Sequence, residues 1–99
     1  MSESKKEFIH QKYQNFINFL VEKSSLTYEQ LQDEEEIRDF KNMQPEDIIK
    51  FGMSTLRTYK NNLDYPASKI MEIFKIDIND RSSKLIIFNY LELILSLST

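Results

Sequence analysis

Residues 85–97 have the sequence LIIFNYLELILSL, in which only Asn89, Glu92 and Ser96 are not apolar. A helix this apolar has no polar side to present to water, so it is expected inside a protein core. The run is shorter than the roughly 20 residues that a bilayer span needs. In parts of the run apolar and polar residues alternate, which also fits a strand. The length of the run and its lack of turn residues favour a helix. We predict a buried C-terminal helix from about Ser83 to Leu97 and no membrane span.

The composition predicts the fold class around that helix. Ninety-nine residues correspond to one domain, residues 1–99. The chain has one Gly and two Pro, far fewer turn-forming residues than sandwiches and barrels need. We therefore expect an all-α, single-domain bundle of about five helices.

The first of these helices is predicted from about Lys5 to Glu22. Ser4 and Glu7 have the spacing of a capping box at its start. Apolar residues then recur with a helical period and define a buried face: Ile9, Tyr13, Phe16, Ile17 and Leu20.

Thr27 and Gln30 form a second capping-box pattern. The helical period of apolar residues fails at residues 33–36. Either one helix continues through an exposed acidic turn, or Asp33 caps a second helix with Glu36 at its N3 position. Acidic residues in a first turn suit the helix dipole, which favours the second interpretation. Ile37 and Phe40 would then be its buried residues.

Pro45 and Pro66 are each expected to begin a helix, because proline suits the first helical turn. Gly52 marks either a close helix crossing or a break in the first of these helices. Asp64 or Tyr65 is expected to cap the second one, whose buried face contains Ala67, Ile70, Met71 and Phe74. Alternation of apolar and polar residues over residues 73–80 predicts an extended connector or a short strand. Asp80 or Ser82 is then expected to cap the last helix.

Several chemistries are excluded by residue type. There is no Cys, and the lone His10 cannot form a familiar zinc site. A single Gly rules out Gly-rich phosphate loops, and no acidic stretch has calcium-loop spacing. We predict no catalytic residues, no cofactor, no metal and no enzymatic activity.

Charge is distributed unevenly along the chain, whose net charge is −3. Residues 1–45 contain nine acidic and six basic residues, whereas residues 46–99 contain seven of each. Asp33, Glu34, Glu35 and Glu36, with Phe40 at their edge, are the predicted contacts for a protein partner with a basic surface. A solvated helix start is the simpler explanation of these four acidic residues.

The leading hypothesis is a small non-enzymatic regulatory protein that binds and modulates a protein partner. In size and expected helix content the chain is similar to bacteriocin immunity proteins and to small phage inhibitors of host enzymes, a similarity of class without a shared motif. Lack of Cys and of a signal-peptide pattern predicts a cytoplasmic protein.

The alternative hypothesis is a DNA-binding transcriptional regulator. The stretch 47–62 looks like a helix-turn-helix, with Gly52 in the turn and a following helix that could enter a major groove. Its predicted DNA contacts are Ser54, Arg57, Thr58, Lys60 and Asn61. One continuous amphipathic helix with a packing glycine is the competing interpretation.

The large number of apolar residues in the last helix also suggests two alternatives for the oligomeric state. Large exposed apolar patches usually mark interaction surfaces. Either the other helices cover residues 85–97 completely, or a homodimer forms through the C-terminal helix.

Overall fold

The computed structural model describes residues 2–59 and 62–98. Within these ranges the chain forms six α-helices and no strand, which confirms the all-α prediction. The helices are α1 (Glu3–Lys23), α2 (Tyr28–Asp33), α3 (Glu35–Lys41), α4 (Pro45–Tyr59), α5 (Asp64–Ile73) and α6 (Arg81–Ser98). Six helices are one more than the predicted number of about five.

The C-terminal helix α6 is buried on one face only. Ser83, Ile87, Leu91 and Ile94 form its inner face, and the neighbouring helices are α4, α5 and α1. Leu85 on its outer face is 61% exposed. Helix formation is confirmed, but the prediction of burial on all sides is wrong for the outer face, because three neighbours on one side do not enclose a helix.

The buried face of α1 is the predicted one: Ile9, Tyr13, Phe16, Ile17 and Leu20. Its start differs from the prediction, because Ser2 rather than Ser4 is the N-cap. The Ser2 hydroxyl accepts a hydrogen bond from the Lys5 backbone N–H at 3.2 Å. Both Ser2 and Ser4 precede helix-forming residues, so the pattern located the helix but not its first residue.

The predicted capping box of α2 is confirmed. Thr27 accepts from the Gln30 backbone N–H at 3.2 Å, and the Thr27 backbone N–H donates to the Gln30 side chain at 2.9 Å. A separate α3 follows, but its N-cap is Glu34 rather than Asp33, and the Glu34 side chain makes no capping hydrogen bond. Instead, the acidic side chains of Glu35 and Glu36 in the first turn of α3 stabilise the helix by interacting favourably with the positive end of its dipole.

Helix α4 starts at Pro45, as predicted, and continues through Gly52 without a break. Gly52 is buried, so its lack of a side chain permits close packing against the core. The N-terminal ends of α1 and α4 are joined by an ion pair between Lys6 and Glu46 at 3.3 Å. Hydrogen bonds from the Glu46 backbone N–H and from Lys6 lower the pKa of the Glu46 carboxyl.

Helix α5 begins at Asp64, and Leu63 precedes it without a side-chain cap. The predicted cap at Asp64 or Tyr65 is therefore wrong. Pro66, which was expected to begin the helix, lies in its first turn. The predicted buried face is confirmed, since the following residues are all buried: Ala67, Ile70, Met71 and Phe74.

Residues 74–75 and 78–79 form turns, and no residue between α5 and α6 lies in a strand, so the short-strand alternative is wrong. Lys75, in the first of these turns, has a φ of 55°, in the left-handed region that is uncommon for residues other than glycine. The Ser25 hydroxyl donates to the Lys75 carbonyl at 2.6 Å and fixes this turn against the end of α1. The alternation of apolar and polar residues did not indicate a strand here. Ile76 is buried and Ile78 is exposed, so the two side chains do not lie on the same face.

Asp80 caps α6, as predicted. Its carboxylate accepts hydrogen bonds from the Ser83 backbone N–H at 3.1 Å and from the Ser83 hydroxyl at 2.7 Å. The Ser83 hydroxyl and backbone N–H lower the pKa of Asp80 by stabilising its charged form.

No helix in the described part of the chain combines the length and apolar character needed to traverse a bilayer, which agrees with the sequence prediction.

Substitution of Gly52 tests the close packing of α4. We expect Gly52→Leu to lower the free energy of unfolding by about 1 to 3 kcal/mol, the usual cost of forcing extra atoms into a packed core. Met53→Leu, at the adjacent exposed position, is the control and should change stability by less than about 0.5 kcal/mol. Urea unfolding followed by circular dichroism gives both values, and equal stability of the two variants would contradict close packing at Gly52.

Candidate functional site

The acidic segment, residues 33–36, links α2 to α3 and is exposed throughout. Asp33 ends α2, Glu34 lies between the helices, and Glu35 and Glu36 lie in the first turn of α3. Among residues 2–59 and 62–98, none of these four carboxylates forms an ion pair. Their charges are therefore available to a cationic group of another molecule.

Phe40, which was predicted to lie at the edge of this segment, is a half-buried member of an aromatic cluster. Its ring centre lies 5.9 Å from that of Tyr13 and 5.7 Å from that of Phe74, in tilted and edge-on arrangements that aromatic pairs prefer. Phe16 and Phe51 complete its ring contacts at 6.4 and 6.2 Å. Phe40 is thus held by the core as well as being partly accessible.

The backbone at Phe40 is fixed by a hydrogen bond across the core. The Tyr13 hydroxyl on α1 donates to the Phe40 carbonyl on α3, and the Met43 sulfur lies 3.4 Å from the same hydroxyl. Burial raises the pKa of Tyr13 above its usual range, so the hydroxyl keeps its proton and remains a donor. This contact anchors the end of α3 to α1.

Phe40 also forms one wall of a cleft between α3, α4 and α5. The volume of this cleft is about 220 Å³. Tyr59 and Tyr65 stack at 5.2 Å between ring centres at one side of the cleft. Its lining is almost entirely apolar or aromatic: Phe40, Phe51, Thr55, Tyr59, Tyr65, Pro66, Lys69, Ile70 and Ile73.

Charged groups of both signs lie at the cleft rim. Lys69 belongs to the lining and pairs with Glu72 at 3.9 Å. Glu36 precedes Phe40 by four residues on α3, so its side chain lies on the same helix face, one turn from the cleft wall. We call the cleft, together with residues 33–36, the acidic cleft site.

The cleft lining contains no carboxylate, thiol or imidazole that could transfer a proton or attack a substrate. Across the described ranges, no cluster of three or more His, Cys, Asp or Glu side chains is arranged to hold a metal ion.

The predicted DNA-contact residues have a different arrangement from the one expected. Ser54, Arg57 and Thr58 are exposed on α4, whereas Lys60 and Asn61 lie outside the described residues. Because α4 is continuous through Gly52, the turn that a helix-turn-helix requires at that position is absent from this described helix. The interpretation of one continuous helix with a packing glycine is the correct one for residues 45–59.

Most cleft residues were not singled out as a site by the sequence. Phe51, Thr55 and Tyr59 follow one another at four-residue intervals, which places them on one face of α4 and is the signal that was missed. The contribution of α5 has no local signal in the sequence, because it depends on how α5 packs beside α3 and α4.

Comparison of the chain with protein-family models, curated proteins and solved structures finds no significant match.

Removing the Tyr13 hydroxyl tests the anchor of α3. Tyr13→Phe leaves the Phe40 carbonyl without its side-chain donor, so we expect a loss of about 1 to 3 kcal/mol in the free energy of unfolding. Tyr28→Phe, at an exposed position, is the control and should change stability by less than about 0.5 kcal/mol. Equal stability of wild type and Tyr13→Phe in urea unfolding would show that this hydrogen bond does not anchor α3.

The raised pKa of Tyr13 also predicts a pH dependence. In the unfolded chain Tyr13 ionises near pH 10, whereas in the folded protein it keeps its proton. The folded state then binds more protons, so stability falls as pH rises above about 10. Tyr13→Phe lacks this contribution, and its difference in stability from wild type should shrink between about pH 9 and pH 11. A constant difference over that range would contradict the prediction.

Proposed function

We propose that this chain is a small non-enzymatic regulatory protein of the cytoplasm that binds a protein partner through the acidic cleft site. One observation carries the proposal: an exposed acidic segment, without ion pairs among the described residues, leads into α3, which carries the cleft residue Phe40 one turn after Glu36. A protein surface with basic residues around an apolar side chain complements both features.

The size of the cleft favours a side chain over a small-molecule ligand. Drug-sized ligands occupy pockets of roughly 300 to 1,000 Å³, whereas a cavity of about 150 Å³ holds one benzene ring. At about 220 Å³ the cleft accommodates one large apolar side chain of a partner. Burial of such a side chain contributes about 1.5 to 3 kcal/mol to binding.

The acidic segment has a separate role in this proposal. Exposed ion pairs contribute only about 0.2 to 1 kcal/mol each, so residues 33–36 mainly speed encounter with a basic surface and orient it. Glu36, one turn from Phe40, is placed to pair with a basic residue that neighbours the inserted side chain. Affinity then comes from the cleft, and selectivity for basic partners comes from the acidic segment.

Neutralisation of the acidic segment tests the charged contact. A partner is first captured from cell lysate, identified and purified, and its affinity for this chain is measured by calorimetry. The triple variant Glu34→Gln, Glu35→Gln and Glu36→Gln should bind about 10-fold more weakly, and the difference should shrink at about 1 M salt, where charges are screened. The control removes three exposed charges elsewhere, at Glu7, Glu22 and Asp77, and should retain wild-type affinity.

Truncation of a cleft side chain tests the apolar contact. Tyr65→Ala removes an exposed aromatic wall of the cleft and should weaken the same complex by about 10-fold or more, as loss of an aromatic anchor does. Phe8→Ala removes an exposed aromatic side chain of α1 and is the matched control. If both triple variants bind alike and Tyr65→Ala binds as tightly as Phe8→Ala, the acidic cleft site is not the binding surface.

DNA binding is the competing proposal, through the exposed α4 residues Ser54, Arg57 and Thr58 together with Lys60 and Asn61. It predicts retention on duplex DNA that falls steeply between about 50 and 200 mM salt and is lost on Arg57→Ala substitution. That result, combined with failure to recover any protein partner, would replace the regulatory proposal.

A further inference from the structure

The outer face of α6 carries an ordered series of charges around an apolar centre. Arg81 and Lys84 lie at its N-terminal end, Leu85 and Phe88 at its centre, and Glu92 at its C-terminal end. We call this set, together with Asn89, the α6 outer face. Arg81, Leu85, Asn89 and Glu92 are exposed, whereas Lys84 and Phe88 are half-buried at one edge of this face, where Phe88 packs against the core.

Leu85 and Phe88 form a ridge between two shallow grooves. One groove, of about 330 Å³, is lined by Arg81, Lys84, Leu85 and Phe88. The other, of about 370 Å³, extends from Leu85 and Phe88 toward Asn89, Glu92 and the start of α5. A ridge flanked by grooves is the surface shape that packs against a second helix.

The charges of this face complement those of the same face in reversed direction. Suppose that two copies of α6 lie antiparallel, with a two-fold axis that passes between Ile86 and Ile87. A residue that precedes this point in one copy then faces the residue that follows it by the same number of positions in the other copy. Arg81 of one copy then faces Glu92 of the other, and Leu85 faces Phe88. Because the axis relates the copies, each contact occurs twice, as a two-fold interface requires.

We propose that a second copy of this chain docks on the α6 outer face and forms an antiparallel two-fold dimer. The charge order selects this occupant, since a uniformly basic or acidic partner would meet charges of its own sign at one end. Lys84 is already paired with Asp64 at 2.6 Å within one chain. Arg81 has no ion pair among residues 2–59 and 62–98, which leaves it available to Glu92 of the second copy.

Charge reversal tests the pairing directly by sedimentation velocity and native mass spectrometry. Wild type should shift from the 11.9 kDa chain mass to twice that mass as its concentration rises from about 1 to about 500 µM. Arg81→Glu alone and Glu92→Arg alone each place like charges in contact, so each should weaken dimerisation by about 10-fold or more. An equimolar mixture of these two variants should form heterodimers, because both contacts then join opposite charges. The double variant should dimerise like wild type.

Two further variants locate the apolar part of the interface. Leu85→Arg should abolish dimerisation, whereas Ile86→Arg, on the other exposed side of α6, should not. Far-ultraviolet circular dichroism establishes that each variant is folded. A wild type that stays monomeric at every concentration overturns the proposal. Dimers that are insensitive to the charge reversals, or variants that fail to form heterodimers on mixing, also overturn it, because the interface would then lie elsewhere.

Discussion

The structure depends on covering the inner face of α6, where Ile87, Leu91 and Ile94 are almost fully buried. Apolar burial is the dominant favourable term in folding, and these side chains find their contacts in α1, α4 and α5, which come from distant parts of the chain. Gly52 permits close packing of α4, and the Asp80 cap defines where α6 begins. Because these three helices pack on one side of α6, its other side remains exposed.

The same packing positions the acidic cleft site. Phe40 contacts the rings of Tyr13, Phe16, Phe51 and Phe74, so the short helix α3 is tied to α1, α4 and the end of α5. A helix of seven residues is not stable by itself in water, and its position comes from these contacts and from the Tyr13 hydroxyl. These contacts hold α3, whose first turn carries Glu35 and Glu36, in place at the cleft wall formed by Phe40, which is the physical basis of the proposed partner recognition.

Local features of the fold could be predicted from the sequence, whereas features that depend on long-range packing could not. The buried face of α1, the capping box at Thr27 and the cap at Asp80 follow from residue type and spacing within one or two turns. Exposure of Leu85 was missed because apolar content alone does not tell how many helices surround a segment. The cleft was missed for a related reason, since Phe40, Phe51 and Tyr65 meet only after three helices have packed. Whether the acidic residues 33–36 contact a partner stays a prediction.

Cysteine accessibility along α6 tests the central claim, that this helix is covered on one face and open on the other. The sequence contains no Cys, so single substitutions can be labelled without background. At concentrations below about 1 µM, where weakly associating interfaces are largely dissociated, thiols at positions 85, 89 and 92 should react at the rate of a free thiol. Those at positions 87, 91 and 94 should react only as fast as the protein unfolds. Equally fast labelling at all six positions would show that α6 is not packed on the core, and equally slow labelling would show that it is enclosed on every side.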